Sequence, residues 1–159
     1  MKNKTTNFNI YFARSLTLII ILLSFFLNSG NNNLGKYAGF IVLIVSVSIL
    51  FFTFQSKKTQ NEIETNLNQK KINKGIYLYV RYPILLSNIL FIIGITLISQ
   101  NLLLVILDYF TIKLIMKHIE GNDKLLFKKE PLYYMQIRDI PKLNILKSIY
   151  LMFKKRILN

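Results

Sequence analysis

The sequence predicts an all-α, polytopic membrane helical bundle: four transmembrane helices and a C-terminal interfacial amphipathic helix, in one domain covering 1–159. Three observations carry this. Four segments, 10–27, 37–54, 83–99 and 102–119, hold few charges or none, and each reaches the roughly 17–20 residues that cross a hydrocarbon core of about 30 Å. None keeps the polar stripe that a helix of a soluble domain turns toward water. The net charge of +14 is also sorted by position. Segment 1–14 carries Lys2, Lys4 and Arg14, segment 55–82 carries Lys57, Lys58, Lys70, Lys71, Lys74 and Arg81, and the tail carries nearly all the rest. The loops 28–36 and 99–101 carry only Lys36 and nothing, respectively. This is the positive-inside asymmetry of a multi-pass protein with N- and C-termini both cytoplasmic. A basic surplus facing anionic lipid accounts for the charge without a nucleic-acid partner.

The first span enters near Ile10, with Arg14 snorkelling toward the headgroups. It stops at Asn28-Ser29-Gly30-Asn31-Asn32-Asn33, a run of turn formers. A basic stretch before an apolar run also describes a secretory signal, but no A-x-A site precedes Gly30, so a retained helix is expected. The second span places Gly39 and Ser46 seven residues apart on one face, and the third does the same with Ser87 and Gly94. Small side chains let backbones approach, so both faces are expected to meet neighbouring helices.

With 1–55 forming two spans, 56–82 reads as a polar cytoplasmic connector holding at most a short helix. Pro83 opens the third span, its missing N–H being one that no helix satisfies there. The turn 99–101 is short enough to make the third and fourth helices antiparallel neighbours. After Ile119 the chain is expected to leave the membrane through Glu120-Gly121-Asn122-Asp123 and to run as a polar segment to Pro141. In the tail, 142–159, Leu146, Ile149, Tyr150, Phe153 and Ile157 fall at helical spacing beside Lys147, Lys154, Lys155 and Arg156. Charges this frequent suit an interfacial helix better than a fifth span.

Several chemistries are excluded within these residues. There is no cysteine, hence no disulfide, thiolate metal site or cysteine nucleophile. No G-x-G-x-x-G, P-loop or G-x-S-x-G motif occurs. His118 is the single histidine, so a His-based metal cluster cannot form. Asp108 falls mid-span, where an acid is costly, which makes it a functional candidate; the plainer and preferred reading is a protonated or hydrogen-bonded Asp against another helix, through Asn88 or a serine. Lys113, Lys117 and Glu120 share one face at the cytoplasmic end of the fourth helix.

The stretch Gly75-Ile-Tyr77-Leu-Tyr-Val-Arg81-Tyr82-Pro83 makes a ring-rich, cationic lip at the mouth of the third span. With Glu120 beside it, such a lip suits a ligand bearing both charges: rings face a cation, while Arg81 and a helix N-terminus meet a carboxylate. The same residues also fit a plain interfacial belt of Tyr and Arg.

This lip, followed by an apolar helix with Gly94, a short turn, Glu120, Tyr133 and Pro141, resembles the isoprenylcysteine carboxyl methyltransferase family, whose wider group includes bacterial phospholipid N-methyltransferases. Members carry G-x-Y-x-x-V-R-H-P-x-Y-x-G, a glutamate pair, F-G-x-x-Y-x-x-Y and a valine-proline close. The likeness covers about 59–141, making 83–141 the methyltransferase-like core. Tyr82 stands at the family's histidine, Leu85 at the following tyrosine and Ser87 at the next glycine. Only Glu120 matches the glutamate pair, with Asn122 and Asp123 close by; Lys129-Glu130 replaces F-G, and Gln136 the second tyrosine.

The resemblance implies an S-adenosylmethionine-dependent methyltransferase that takes a membrane lipid or other lipophilic substrate, with a carboxylate or amine acceptor. Tyr77, Arg81, Tyr82, Pro83, Glu120 and Tyr133 are the implied cofactor-binding residues. Two alternatives stand beside it: a nicotinamide-dependent membrane reductase of the same broad group, and a non-catalytic relative with a structural or lipid-binding role.

Overall fold

The computed structural model describes residues 4–26, 32–67, 75–129, 131–138, 140 and 142–143. Helix α1 (Lys4–Phe26) is followed by α2 (Asn33–Leu67), a 3₁₀ turn (Gly75–Leu78), α3 (Pro83–Ser99), α4 (Leu102–Lys129) and the short α5 (Pro131–Ile137). The described residues are all-helical, without strands. The tail expected to form an interfacial helix lies outside the described residues except for Lys142 and Leu143, and Pro141 lies outside them too.

Two helices overrun their apolar segments. α2 continues from its apolar part into the polar connector as far as Leu67. The sequence from Ser56 to Leu67 holds no Gly or Pro and carries Lys57, Lys58, Gln60, Glu62 and Glu64, so nothing breaks the helix once it is nucleated. α4 runs on through Glu120–Asp123, where an exit from the helix was expected, and ends at Lys129. Gly121 costs about 1 kcal/mol in a helix interior, and two residues on, Asp123 makes the ion pairs described below.

α3 begins with Pro83 at its first turn, as the sequence predicts. It ends at Gln100, whose left-handed backbone (φ 52°) lets its N–H reach Thr96 O at 2.8 Å. Asn101 Oδ1 then accepts the Leu103 N–H at 2.9 Å and caps α4. At the same end of the bundle the Gln100 side chain is hydrogen-bonded in both directions to the Asn32 backbone, joining the two loops.

α2 packs chiefly on α3, and α1 chiefly on α4. The tight turn does make α3 and α4 touch, but each finds its main partner elsewhere. The two small-residue faces meet each other. A Cβ on Gly39 would lie 2.8 Å from Gly94 O, closer than any side chain tolerates. One turn pair further along, the Ser46 and Ser87 hydroxyls each donate to the other residue's carbonyl at 2.9 Å. A close backbone contact and a reciprocal hydrogen-bond pair fix the register of α2 on α3.

Polar side chains share the interior with apolar ones: Ser46, Thr53, Ser87, Thr96, Ser99, Asp108, Thr111 and Asp123 are buried alongside Ile20, Ile92, Leu104 and Ile119. Asp108 faces Thr96 of α3, neither Asn88 nor a serine. The two side chains do not close a hydrogen bond, and Asp108 Oδ1 and Thr96 Oγ1 are both buried without a partner. The outside is apolar, with Tyr37, Ile41, Ile44 and Phe51 of α2 and Leu102, Tyr109 and Phe110 of α4 all exposed. One helical stretch, Asn33–Ser56, is long and apolar enough to cross a membrane, and only 17% of its 18-residue apolar window is buried. Asn9–Ser24 and Pro83–Ser99 are shorter apolar helices.

Candidate functional site

The 3₁₀ turn preceding α3 docks on α2. Gly75 adopts a left-handed φ of 59°, and a Cβ there would collide with the Ser56 hydroxyl. The Ile76 N–H donates to that hydroxyl at 3.3 Å. The turn buries Val80 and half-buries Tyr77, and this burial raises the Tyr77 phenol above its ordinary pKa.

The next two residues enter a charged knot. Arg81 is buried, with 6% of its side chain exposed. Its Nη1 donates to both carboxylate oxygens of Asp123 at 3.2 and 3.1 Å. Its Nη2 donates to the carbonyls of Ile137 and Arg138 at 2.7 Å and of Ile140 at 3.2 Å, closing the C-terminal end of α5. The guanidinium also stands 5.6 Å from the Tyr134 ring centroid. Tyr82 donates its hydroxyl to Asp123 Oδ1 at 2.7 Å, and Lys142 Nζ pairs with Asp123 Oδ2 at 2.6 Å.

Asp123 therefore gathers three donors. Burial opposes its charge, but the hydrogen bonds from Lys142 and Tyr82 and the charges of Arg81 and Lys142 outweigh it and hold the carboxyl below its usual value. Burial, and then the hydrogen bond to Asp123, push the Tyr82 phenol well above its usual value.

Beside the knot opens a cleft of about 400 Å³, lined by Glu120, Asp123, Lys124, Phe127, Tyr134 and Lys142. Phe127 and Tyr134 meet edge to face, with centroids 5.5 Å apart. Glu120 is exposed at this cleft. The cleft thus combines two aromatic rings, a free-facing carboxylate and two ammonium groups. Among the described residues no group of three acids or histidines could hold a metal ion.

Of the residues singled out in the sequence, Glu120 lines the cleft, while Arg81 and Tyr82 support it through Asp123. Arg81 does not face the open space as an anion anchor, because its terminal nitrogens are already engaged within the protein. Pro83 is buried at the start of α3 and shapes the helix rather than the cleft. Tyr77 belongs to the turn against α2 and is not among the lining residues. Tyr133 falls on α5, but its side chain lies outside the described residues.

Sequence reasoning passed over Lys124, Phe127, Tyr134 and Lys142, and treated Asp123 only as a neighbour of Glu120. Continuing the spacing from Glu120 by three, four and seven gives Asp123, Lys124 and Phe127, so a longer fourth helix would have exposed three of them. Nothing in the sequence pairs Arg81 with a carboxylate 42 residues away. Comparisons with protein-family models, curated proteins and solved structures gave no match.

Proposed function

We propose that the chain is an integral membrane S-adenosylmethionine-dependent methyltransferase, with four spans, both termini cytoplasmic, and a lipophilic carboxylate or amine substrate arriving from the bilayer. The membrane part of this reading is supported by the apolar exterior and by the lysine and arginine asymmetry. The observation that carries the cofactor part is the cleft at the overhang of α4. Its volume lies within the range of small-molecule sites.

The lining suits the proposed cofactor group by group. Phe127 and Tyr134 present rings to a sulfonium. Glu120 accepts hydrogen bonds from hydroxyls or an amine. Lys124 takes the carboxylate contact that the sequence assigns to Arg81, Lys142 being already paired with Asp123. Arg81 and Tyr82 become positioning residues: they hold Asp123, and with it the α4 and α5 walls, in place.

The bound cofactor supplies an activated methyl group. The protein's part is to orient donor and acceptor and to exclude water, which can provide most of the rate enhancement of an in-line displacement. A carboxylate acceptor needs no base. An amine must lose a proton, and Glu120 is the cleft's exposed carboxylate for that task.

The second reading, a non-catalytic relative, is favoured by one observation: the arginine of the helix-entrance motif serves internal structure. Equilibrium binding of S-adenosylmethionine and of NADPH to the detergent-purified protein decides between them. Binding of the former alone, weakened about tenfold or more by Glu120→Ala, supports the methyltransferase. Binding of NADPH alone supports the reductase, and binding of neither supports the non-catalytic protein.

A further inference from the structure

A second groove lies between α1 and α4. It encloses about 390 Å³ and is lined by Phe12 and Leu16 of α1 and by Leu107, Phe110, Lys113, Leu114 and Lys117 of α4. From Leu107 to Lys117 it extends about 15 Å at the helical rise. Its chemistry changes along that length: one end is entirely apolar, and both cations sit at the other.

The lysines carry the argument. Lys113 and Lys117 are exposed, and among the described residues neither makes an ion pair. The Lys113 ammonium stands 6.0 Å from the centroid of the Tyr109 ring. Around them α4 presents Val105, Ile106, Tyr109 and Phe110 outward, a surface made for hydrocarbon. Ammonium groups within such a surface require an anion or water, and their stems let them reach toward the headgroup level. A trough of apolar side chains leading to two uncompensated cations matches an amphiphile with a long apolar tail and a negative head.

We propose that this groove holds an acyl chain of an anionic membrane phospholipid, its phosphate resting on Lys113 and Lys117. A zwitterionic lipid fits the apolar end equally well but leaves the two charges uncompensated. The groove and the cleft are joined along one strip of α4. Phe110, Lys113, Lys117, Glu120, Lys124 and Phe127 follow one another in steps of three and four, so the lipid head lies one helical turn from Glu120. The site rests on the membrane-spanning reading and is independent of methyl transfer.

The test uses the full chain purified in detergent, with dioleoyl phosphatidylglycerol and dioleoyl phosphatidylcholine offered at equal concentration and retained lipid counted by native mass spectrometry. Phosphatidylglycerol is expected to be favoured by about tenfold or more, each lysine near an anionic head contributing about fivefold. The Lys113→Gln/Lys117→Gln pair should abolish the preference. Lys36→Gln, at the opposite end of the bundle, should leave it intact, and Leu16→Trp should reduce retention of both lipids by filling the trough.

Equal retention of the two lipids by the wild-type chain overturns the proposal, as does a preference that survives loss of both lysines. Complete competition by glycerol phosphate, which has no acyl chain, would show an anion site without a lipid groove and overturns it too. An alkaline carbonate wash of membranes separates the levels of failure. Release of the protein removes the membrane reading together with the site, whereas retention with no lipid preference removes the site alone.

Discussion

Arg81→Ala tests the charged knot most directly. The substitution leaves Asp123 with Tyr82 and Lys142 as donors and strips the carbonyls of Ile137, Arg138 and Ile140 of theirs. Removing one partner of a buried ion pair costs about 3–5 kcal/mol because the other charge is left uncompensated. Both side chains here are only 6% exposed, so the full penalty is the starting point. Lys142 remains on the same carboxylate and reduces it, while the freed carbonyls at the end of α5 add to it. The expected loss is about 3 kcal/mol, a fall of roughly 6–12 °C in melting temperature for a chain of this size. The assay is thermal unfolding of the detergent-purified protein, with Arg81→Ala, Asp123→Ala and the double variant compared. Asp123→Ala should cost a similar amount, and the double variant less than the sum, because neither charge then stands alone. Strictly additive losses, or an Arg81→Ala melting temperature equal to wild type, would refute the knot.

Four other expectations follow from the structure and the sequence. Tyr82 has its phenol pKa raised in the folded chain, so its contribution is complete below the unfolded value near 10 and is lost as pH climbs through the folded value; urea titrations should show wild type weakening above about pH 10 more steeply than Tyr82→Phe. Asp123 has the opposite sign: its stabilisation is present above about pH 4 and disappears as acid protonates it, so Asp123→Asn should flatten the low-pH limb of the same profile. Gly39→Val should separate α2 from α3, since even its Cβ would lie 2.8 Å from the Gly94 carbonyl; a loss of about 2 kcal/mol or more in unfolding free energy is expected, and a neutral result would remove the close contact. Reporter fusions after Asn32 and after Lys70 should report opposite sides of the membrane, and the same side for both would change the number of spans.

The helices were legible because their signals are local. Apolar runs, the proline at the start of α3 and the polar turn at Gln100-Asn101 all act within a few residues. The small-residue faces of α2 and α3 were legible as well, since Gly39, Ser46, Ser87 and Gly94 need only helical periodicity to be aligned. Helix ends were not. Past Glu120, α4 carries Asp123 to partners from two other parts of the chain, Arg81-Tyr82 and Lys142, a tertiary fact with no local mark. The same fact misdirected the reading of Arg81. An arginine at a helix entrance looks ready for a ligand until its carboxylate, far along the sequence, is seen to occupy it.

The knot at Asp123 also sets an order of assembly. Synthesis delivers Arg81 42 residues before the carboxylate that neutralises it and 59 before the last carbonyl that it holds. Until Lys142 emerges, Asp123 has only Arg81 and Tyr82 as partners, and the cleft lacks one of its lining residues. A ribosome-bound chain that has already made α1 to α4 would still lack that lining residue. The lining of the cleft is complete only once Lys142 reaches a helix entrance made some sixty residues earlier.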